Sequence, residues 1–352
     1  MNGVQHNFTL MKPLFFMNNR EALYWKKEDR KIRCELCPHQ CLLSKDQHGL
    51  CHSRVNRNGL LLAESYNHAC ALAIDPIEKK PLLHFLPGTK TLSVAAPGCN
   101  FKCKNCQNAE ISQADTNDVP CRNVTPEELV NTAQRHSYPS IAYTYTEPLT
   151  FYEYMYDTAT LAHSCSIRNV MVSAGFVLEA PLLRLCKVLD AANIDLKCFD
   201  DKLYRYQCNG SLYPVLHTLE TLKAENVWIE ITNLLIPSFN DSNLLISKMC
   251  YWLATNGFEN VPLHFSRFYP SYLNQDIKPT PLSSMLRAKE IALNCGLNFV
   301  YLGNVSECEG ENTICPSCGK LLIKRNHFKI VRNNLQQAYC PFCGALIPGI
   351  WE

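Results

Sequence analysis

From about residue 92 to residue 302, short apolar runs alternate with amphipathic stretches. Thr91-Leu-Ser-Val-Ala-Ala96, Ile141-Ala-Tyr-Thr-Tyr145 and Asn169-Val-Met-Val-Ser173 have the length and apolar content of buried strands. Ala192-Asn-Ile-Asp-Leu196, Val227-Trp-Ile-Glu-Ile-Thr232, Val261-Pro-Leu-His-Phe265 and Asn298-Phe-Val-Tyr-Leu302 continue the series. Helical stretches separate them, near 125–135, 149–162, 181–189, 213–224, 242–254 and 282–294. The first opens on Thr125-Pro-Glu-Glu128, a capping box with proline at the first helical position. Repeated β–α units predict a parallel sheet, and about seven strands suit a partial barrel better than a closed eightfold one.

In such folds chemistry gathers where strands end and loops begin. Polar residues fall at these places with some regularity. Cys99, Cys103 and Cys106 follow the first strand, and Thr146 and Glu147 follow the second. Ser173 to Gly175 end the third, Asp195 and Lys197 the fourth, and His264 to Arg267 the sixth. Together they would line one rim.

Composition narrows the class. The 352 residues are 47% hydrophobic with a net charge of +2, a globular balance that exerts no global pull toward nucleic acid or a membrane surface. No segment approaches the roughly 18 uncharged apolar residues of a spanning helix. The one apolar patch near the start, residues 10–17, is broken by Lys12 and Pro13 with no cleavage site behind it, so a cytoplasmic location is expected. In that reducing compartment, 20 cysteines with short spacings point to metal and not to disulfides. Nine are scattered (Cys70, Cys121, Cys165, Cys186, Cys198, Cys208, Cys250, Cys295, Cys308) and read as small buried hydrophobes.

The other eleven form three sets, which divide the chain into an N-terminal extension (1–85), a core (86–305) and a C-terminal ribbon (306–352). Cys34-x2-Cys37-x3-Cys41-x9-Cys51 supplies four thiolates, enough for zinc or an auxiliary iron–sulfur cluster without His39, His48 or His52. Cys315-Pro-Ser-Cys318-Gly and Cys340-Pro-Phe-Cys343-Gly, with 21 residues between the inner cysteines, read as a zinc ribbon. Lys320, Lys324, Arg325, Lys329 and Arg332 lie between these knuckles with no acidic residue. So few charges fit a solvated face or an acidic partner better than nucleic acid.

The third set stops at three. Cys99, Cys103 and Cys106 could hold three irons of a cubic [4Fe–4S] cluster, leaving the fourth open to a reactant. No nearby histidine completes a zinc tetrahedron. C-x3-C-x2-C directly after the first strand of a β/α series resembles the signature of radical S-adenosylmethionine (SAM) enzymes. Tyr143-Thr-Tyr-Thr-Glu-Pro148, Asn193-Ile-Asp-Leu-Lys197, Glu230-Ile-Thr-Asn-Leu-Leu-Ile-Pro237 and Leu263-His-Phe-Ser-Arg-Phe-Tyr-Pro270 resemble the pyruvate formate-lyase-activating enzyme group. Within it the chain is most similar to the AmmeMemoRadiSam system radical SAM enzyme family, over nearly its whole length.

The resemblance implies a partial TIM-like barrel of the radical SAM type. It also implies a [4Fe–4S] cluster that reductively cleaves SAM to a 5′-deoxyadenosyl radical, which takes hydrogen from an unidentified protein or small-molecule substrate. An electron donor such as a flavodoxin or ferredoxin is implied as partner. By the same resemblance Glu147 meets the SAM amino group, Asp195 and Lys197 lie by its carboxylate and ribose, and His264 lies near the adenine. The group often carries Asp-Thr-Asn-Gly at the third strand end, where this chain has Val172-Ser-Ala-Gly175; Ser173 would keep part of that contact. The competing reading is a non-catalytic metal-stapled module that binds nucleic acid or relays electrons. Such a module has no need of Glu147, Asp195, Lys197 and His264 at successive strand ends.

Overall fold

The structure is a computed structural model that describes residues 20–305 and 310–352. The apolar patch at 10–17 and Cys308 lie outside the described residues. Among these residues, no helix is long and apolar enough to cross a membrane.

One mixed sheet organises the chain. Its strands are β1 (Ala71–Pro76), β2 (Lys90–Ala95), β3 (Ser140–Tyr143), β4 (Arg168–Ser173), β5 (Ala191–Asp195), β6 (Trp228–Leu235), β7 (Leu263–Arg267) and β8 (Val300–Gly303). They are hydrogen-bonded in chain order. From β2 to β8 every neighbour is parallel, and β1 alone runs antiparallel, against β2. The seven parallel strands are those expected from the apolar runs. β1 is an addition from the segment assigned to the N-terminal extension. Its outward Leu72 and Ile74 stay exposed, so its hydrophobic alternation does not report a buried face.

The crossovers carry α1 (Pro126–Arg135), α2 (Tyr152–Ser164), α3 (Glu179–Cys186), α4 (Asp201–Cys208), α5 (Leu212–Ala224), α6 (Asn243–Thr255) and α7 (Leu282–Asn294). The capping box of α1 is reciprocal: Glu128 N–H donates to Thr125 Oγ1, and Thr125 N–H donates to Glu128 Oε2 at 2.7 Å. The mostly polar helix α4 buries only a short face, Tyr204, Gln207 and Cys208. Local chemistry sets it, with Asp200 Oδ1 accepting from Leu203 N–H at 2.9 Å and Asn209 closing the helix at φ 57°.

Inside the curve of the sheet, Ala142, Val170, Ala191 and Trp228 pack on Ile77, Leu82, Phe85 and Leu86. The three-stranded C-terminal ribbon (Thr313–Ile314, Leu321–Asn326, Lys329–Asn333) buries Leu322 and Ile323 against Leu83, Phe299 and Tyr301. Trp228 opens β6 and Phe299 precedes β8, so the ribbon and the segment 77–86, which plugs the sheet, occupy its amino end. The carboxyl rim is left to the remaining loops and to the small N-terminal lobe. That lobe docks on the rim through Leu178 N–H to Leu36 O at 3.0 Å and Ser53 Oγ–H to Pro97 O at 2.9 Å.

Candidate active site

The cysteine loop leaves β2 through Pro97 and Gly98. Gly98 has φ +102°, and a Cβ there would stand 2.2 Å from Ser53 Oγ and 2.3 Å from Cys51 O. Only glycine permits both the backbone angle and the approach of the N-terminal lobe. Beyond it, three elements hold the loop. Lys102 N–H donates to Cys208 O at 2.8 Å and Lys104 N–H to Gln207 O at 3.0 Å, both at the end of α4. On the other flank Ser271 Oγ–H donates to Asn105 O at 2.9 Å and Leu273 N–H to Lys104 O at 2.9 Å. Phe101 is buried against Phe176 and Tyr204. A Cβ on Gly210 would enter the Phe101 ring at 2.3 Å, so the tight packing reaches past the end of α4.

The three thiols are positioned by this scaffold and are only partly exposed. Phe101 N–H points at Cys99 Sγ at 3.3 Å, and Ser112 Oγ lies 3.2 Å from Cys106 Sγ. Burial and the nearby Glu147 charge push the Cys99 thiol well up. A hydrogen bond with Cys208 pulls the Cys103 thiol down against its burial, and Lys197 adds to the effect. Cys208 was legible only as a small buried hydrophobe. It is buried, but as the last residue of α4 it also touches the site. Of the other scattered cysteines, Cys186, Cys198 and Cys250 are buried, whereas Cys70, Cys121, Cys165 and Cys295 are only partly so. Three soft donors on one ordered loop are chemically suited to iron.

Glu147 comes to this loop by way of a strained turn. Tyr145 adopts φ 72°, a left-handed backbone that costs an aromatic residue about 1–3 kcal/mol. It is held there by Asp75, which accepts its hydroxyl, and by Lys80, whose ammonium lies 4.4 Å from the ring centroid. Asn108 Nδ2–H closes the turn onto Tyr145 O at 2.9 Å. Glu147 follows, buried, with Oε1 accepting from Ser173 Oγ–H at 2.6 Å and Leu149 N–H at 3.1 Å. Its Oε2 accepts from Ala174 N–H at 2.8 Å. Burial raises the carboxyl above its usual range, and these three hydrogen bonds offset part of the rise. A carboxylate offers roughly four acceptor positions, which leaves one for a ligand ammonium.

Ser173 therefore serves Glu147 first. Its proton goes to Oε1, and its oxygen accepts Gly175 N–H at 2.9 Å. Asp195 and Lys197 leave the end of β5 on one side and pair at 3.0 Å (Lys197 Nζ to Asp195 Oδ2). Burial opposes the lysine charge, but Asp195 and Cys103 outweigh it and raise its pKa well above the ordinary value. An ammonium is thus fixed between a carboxylate and the thiols.

His264 points into the interior of the sheet. Its Nε2 lies 2.7 Å from Glu230 Oε2 and its ring stacks on Tyr301 at 5.3 Å. Glu230 in turn accepts Leu83 N–H at 3.0 Å and His84 N–H at 2.7 Å, which joins His264 to the plug beneath the rim.

The other two cysteine sets differ in geometry. Cys315, Cys318, Cys340 and Cys343 bring all four sulfurs within 4.8 Å of one another, a group that could hold a metal ion. The Cys315–Cys343 and Cys318–Cys340 sulfurs are each 3.7 Å apart. A tetrahedral ion with bonds of about 2.3 Å sets an edge of about 3.8 Å. Matching amide bonds shape the knuckles, Gly319 N–H to Cys315 O and Gly344 N–H to Cys340 O, both 2.9 Å, with positive φ at each glycine. Of the basic residues between them, Arg325 is buried and donates to Glu311 O, Thr313 Oγ1 and Leu83 O. It is a strut between ribbon and plug, not part of a basic surface. In the N-terminal lobe Cys34, Cys37, Cys41 and Cys51 face one cavity. His39, His48 and His52 are turned to Asn100 O, Glu64 and Lys102.

An uncharacterized protein of Methanocaldococcus jannaschii, MJ0808, is 44% identical over 331 residues, covering 93% of this chain and 98% of its own length. A putative glycyl-radical enzyme activating enzyme of the same organism, MJ1632, is 25% identical over 59% of this chain and 77% of its own. Among solved structures, a domain of pyruvate-formate lyase-activating enzyme from Bacteroides vulgatus aligns at TM-score 0.41 and 14% identity, over 46% of this chain and 98% of that one. Streptococcus suis SuiB bound to S-adenosylmethionine aligns at TM-score 0.47 and 12% identity, over 65% and 53%. The radical SAM superfamily profile matches residues 93–246, which run from β2 and its cysteine loop through β6, and the chain belongs to the radical SAM superfamily.

Proposed function

We propose that the chain is an enzyme that cleaves SAM reductively at a [4Fe–4S] cluster held by Cys99, Cys103 and Cys106. Hydrogen is then abstracted from a substrate, with a protein substrate of the glycyl-radical-activase kind as the favoured class. The observation that carries the reading is the set of three thiols on the loop after β2, with the Glu147 carboxylate beyond the end of β3 and the Lys197 ammonium beyond the end of β5. When bound, the cluster supplies one electron to the SAM sulfonium and SAM supplies the hydrogen-abstracting radical.

The chain's own groups bind and orient. The remaining acceptor position of Glu147 takes the amino group of SAM, and Ser173 and Ala174 keep that carboxylate aimed. Lys197 offers the SAM carboxylate a charge-assisted donor, with Asp195 placed for a ribose hydroxyl. His264, whose Nε2 is on Glu230 and whose ring is stacked on Tyr301, is assigned no contact with the base. A one-electron donor of the flavodoxin or ferredoxin class completes the system. The ribbon quartet, at the edge length of a tetrahedral thiolate site, holds zinc as a structural ion.

The test is anaerobic incubation of reconstituted protein with SAM and a reductant, reading 5′-deoxyadenosine. The wild-type chain should release it. The variant Cys99→Ala, Cys103→Ala, Cys106→Ala should not, while keeping its ribbon metal. Undiminished release by that variant would overturn the proposal.

A further inference from the structure

Cys34 ends the hairpin Trp25–Glu28/Lys31–Cys34, and its N–H donates to Cys41 O at 2.9 Å, closing the turn that carries Cys37. Cys51 arrives from the next turn, where His52 N–H donates to Gly49 O at 3.0 Å. These four cysteines line one cavity together with Leu36 and Arg54. Backbone hydrogen bonds thus set the two turns that carry these cysteines.

Its size and charge differ from those of the ribbon. Among the described residues, only the ribbon quartet gathers its ligand atoms within 4.8 Å of one another. The N-terminal thiols are instead spread around a space. One zinc ion needs sulfurs about 3.8 Å apart. A polynuclear iron–sulfur core holds its thiolates farther apart, because each is bound to a different metal. Four thiolates around such a core carry negative charge, which hydrogen-bond donors on the wall stabilise. Arg54 is 1% exposed, and its Nη1 lies 3.7 Å from Cys34 Sγ. Glu153 takes its Nη2, and its Nε has no partner among the described residues. Nη1 also donates to Leu23 O at 2.8 Å, and Glu153 balances the guanidinium charge, so Arg54 offers the Cys34 sulfur a hydrogen-bond donor and not a net counter-charge.

The cavity also shares a wall with the SAM-site loop. Asn100, the neighbour of Cys99, lines it; its carbonyl lies 2.8 Å from His39 Nε2, and its Nδ2–H donates to Phe176 O at 2.9 Å. Gly98 abuts the Cys51 carbonyl so closely that a Cβ would not fit.

We infer that Cys34, Cys37, Cys41 and Cys51 bind a second iron–sulfur cluster, fully ligated by protein, and not a zinc ion. Reconstitute the full chain anaerobically with iron and sulfide, then measure iron, acid-labile sulfide and zinc per chain. Wild-type protein should carry about eight irons, as two four-iron clusters require. The variant Cys99→Ala, Cys103→Ala, Cys106→Ala should keep about four, with matching sulfide and the paramagnetic signal of one reduced cluster after dithionite. Two zinc ions per chain and no iron in that variant would overturn the inference, as would only four irons in wild type. Because the wild-type count needs no variant, a misfolded triple variant does not rescue it. SAM cleavage is not read, so this result stands apart from the proposed reaction.

Discussion

Glu147 has one acceptor position left, and Lys197 has a carboxylate on one side and thiols on the other. The pair of charges suits a zwitterion, with the acid for its ammonium and the base for its carboxylate. Lys197→Ala should weaken SAM binding by about 1.5–3 kcal/mol, or roughly ten- to a hundredfold, with iron content unchanged. Calorimetric titration of the cluster-loaded variant checks it. If Lys197 only pairs with Asp195, affinity stays the same and stability falls instead. Glu147, Asp195 and Lys197 were legible because a strand end in a β/α series is where chemistry sits. The service that Ser173 renders Glu147 was not, since that hydrogen bond crosses from one strand end to the next. Cys208 was hidden for a similar reason. Nothing in its local sequence says that the end of α4 closes over the cysteine loop.

At the scale of elements, the ribbon and the plug are locked by a chain of hydrogen bonds that runs in one direction while His84 is neutral. Arg325 can only donate, and its Nη1–H goes to Thr313 Oγ1 at 2.8 Å. Thr313 then donates to Tyr301 Oη at 2.9 Å, and Tyr301 to His84 Nε2 at 2.6 Å. The last step, His84 Nδ1–H to Pro348 O at 2.7 Å, ends on an acceptor that cannot reverse it. Burial pushes the His84 pKa down to about 4, so near neutral pH the ring is uncharged and its Nε2 accepts. Unfolded histidine titrates near 6.5, so below that pH the unfolded chain takes up a proton that the folded chain refuses. This stabilisation is complete above about pH 6.5 and is lost as the pH falls through 4; its full size is on the order of 3 kcal/mol. Urea midpoints at pH 7 and 4.5 should fall more steeply for wild type than for His84→Gln. Equal slopes would contradict the assignment. The sequence showed the seven parallel strands through apolar runs that burial demands. It did not show β1, an edge strand, or α4, a helix made by its caps.

On the scale of the whole molecule, the sheet separates two kinds of work. At its amino end, plug, ribbon and C-terminal tail close the interior; Leu86 N–H to Ile350 O and Ile350 N–H to His84 O, both 2.7 Å, bring the last residues back to the core. At its carboxyl end, the cysteine loop, Glu147 and Lys197 meet under the N-terminal lobe. The N-terminal lobe packs above the rim and the ribbon below it. Patterning could not reveal this, because contacts such as Gly98 against Cys51 and Arg325 against Leu83 join residues far apart in the chain. The central claim is that Cys99, Cys103 and Cys106 leave one iron open, and that SAM closes it. Electron–nuclear double resonance on the reduced protein, with SAM isotopically labelled at its amino nitrogen and carboxylate oxygens, reads that contact directly. The account predicts couplings from both labels that vanish in the variant lacking the three cysteines. Couplings from neither label in a cluster-loaded, SAM-saturated sample would contradict it.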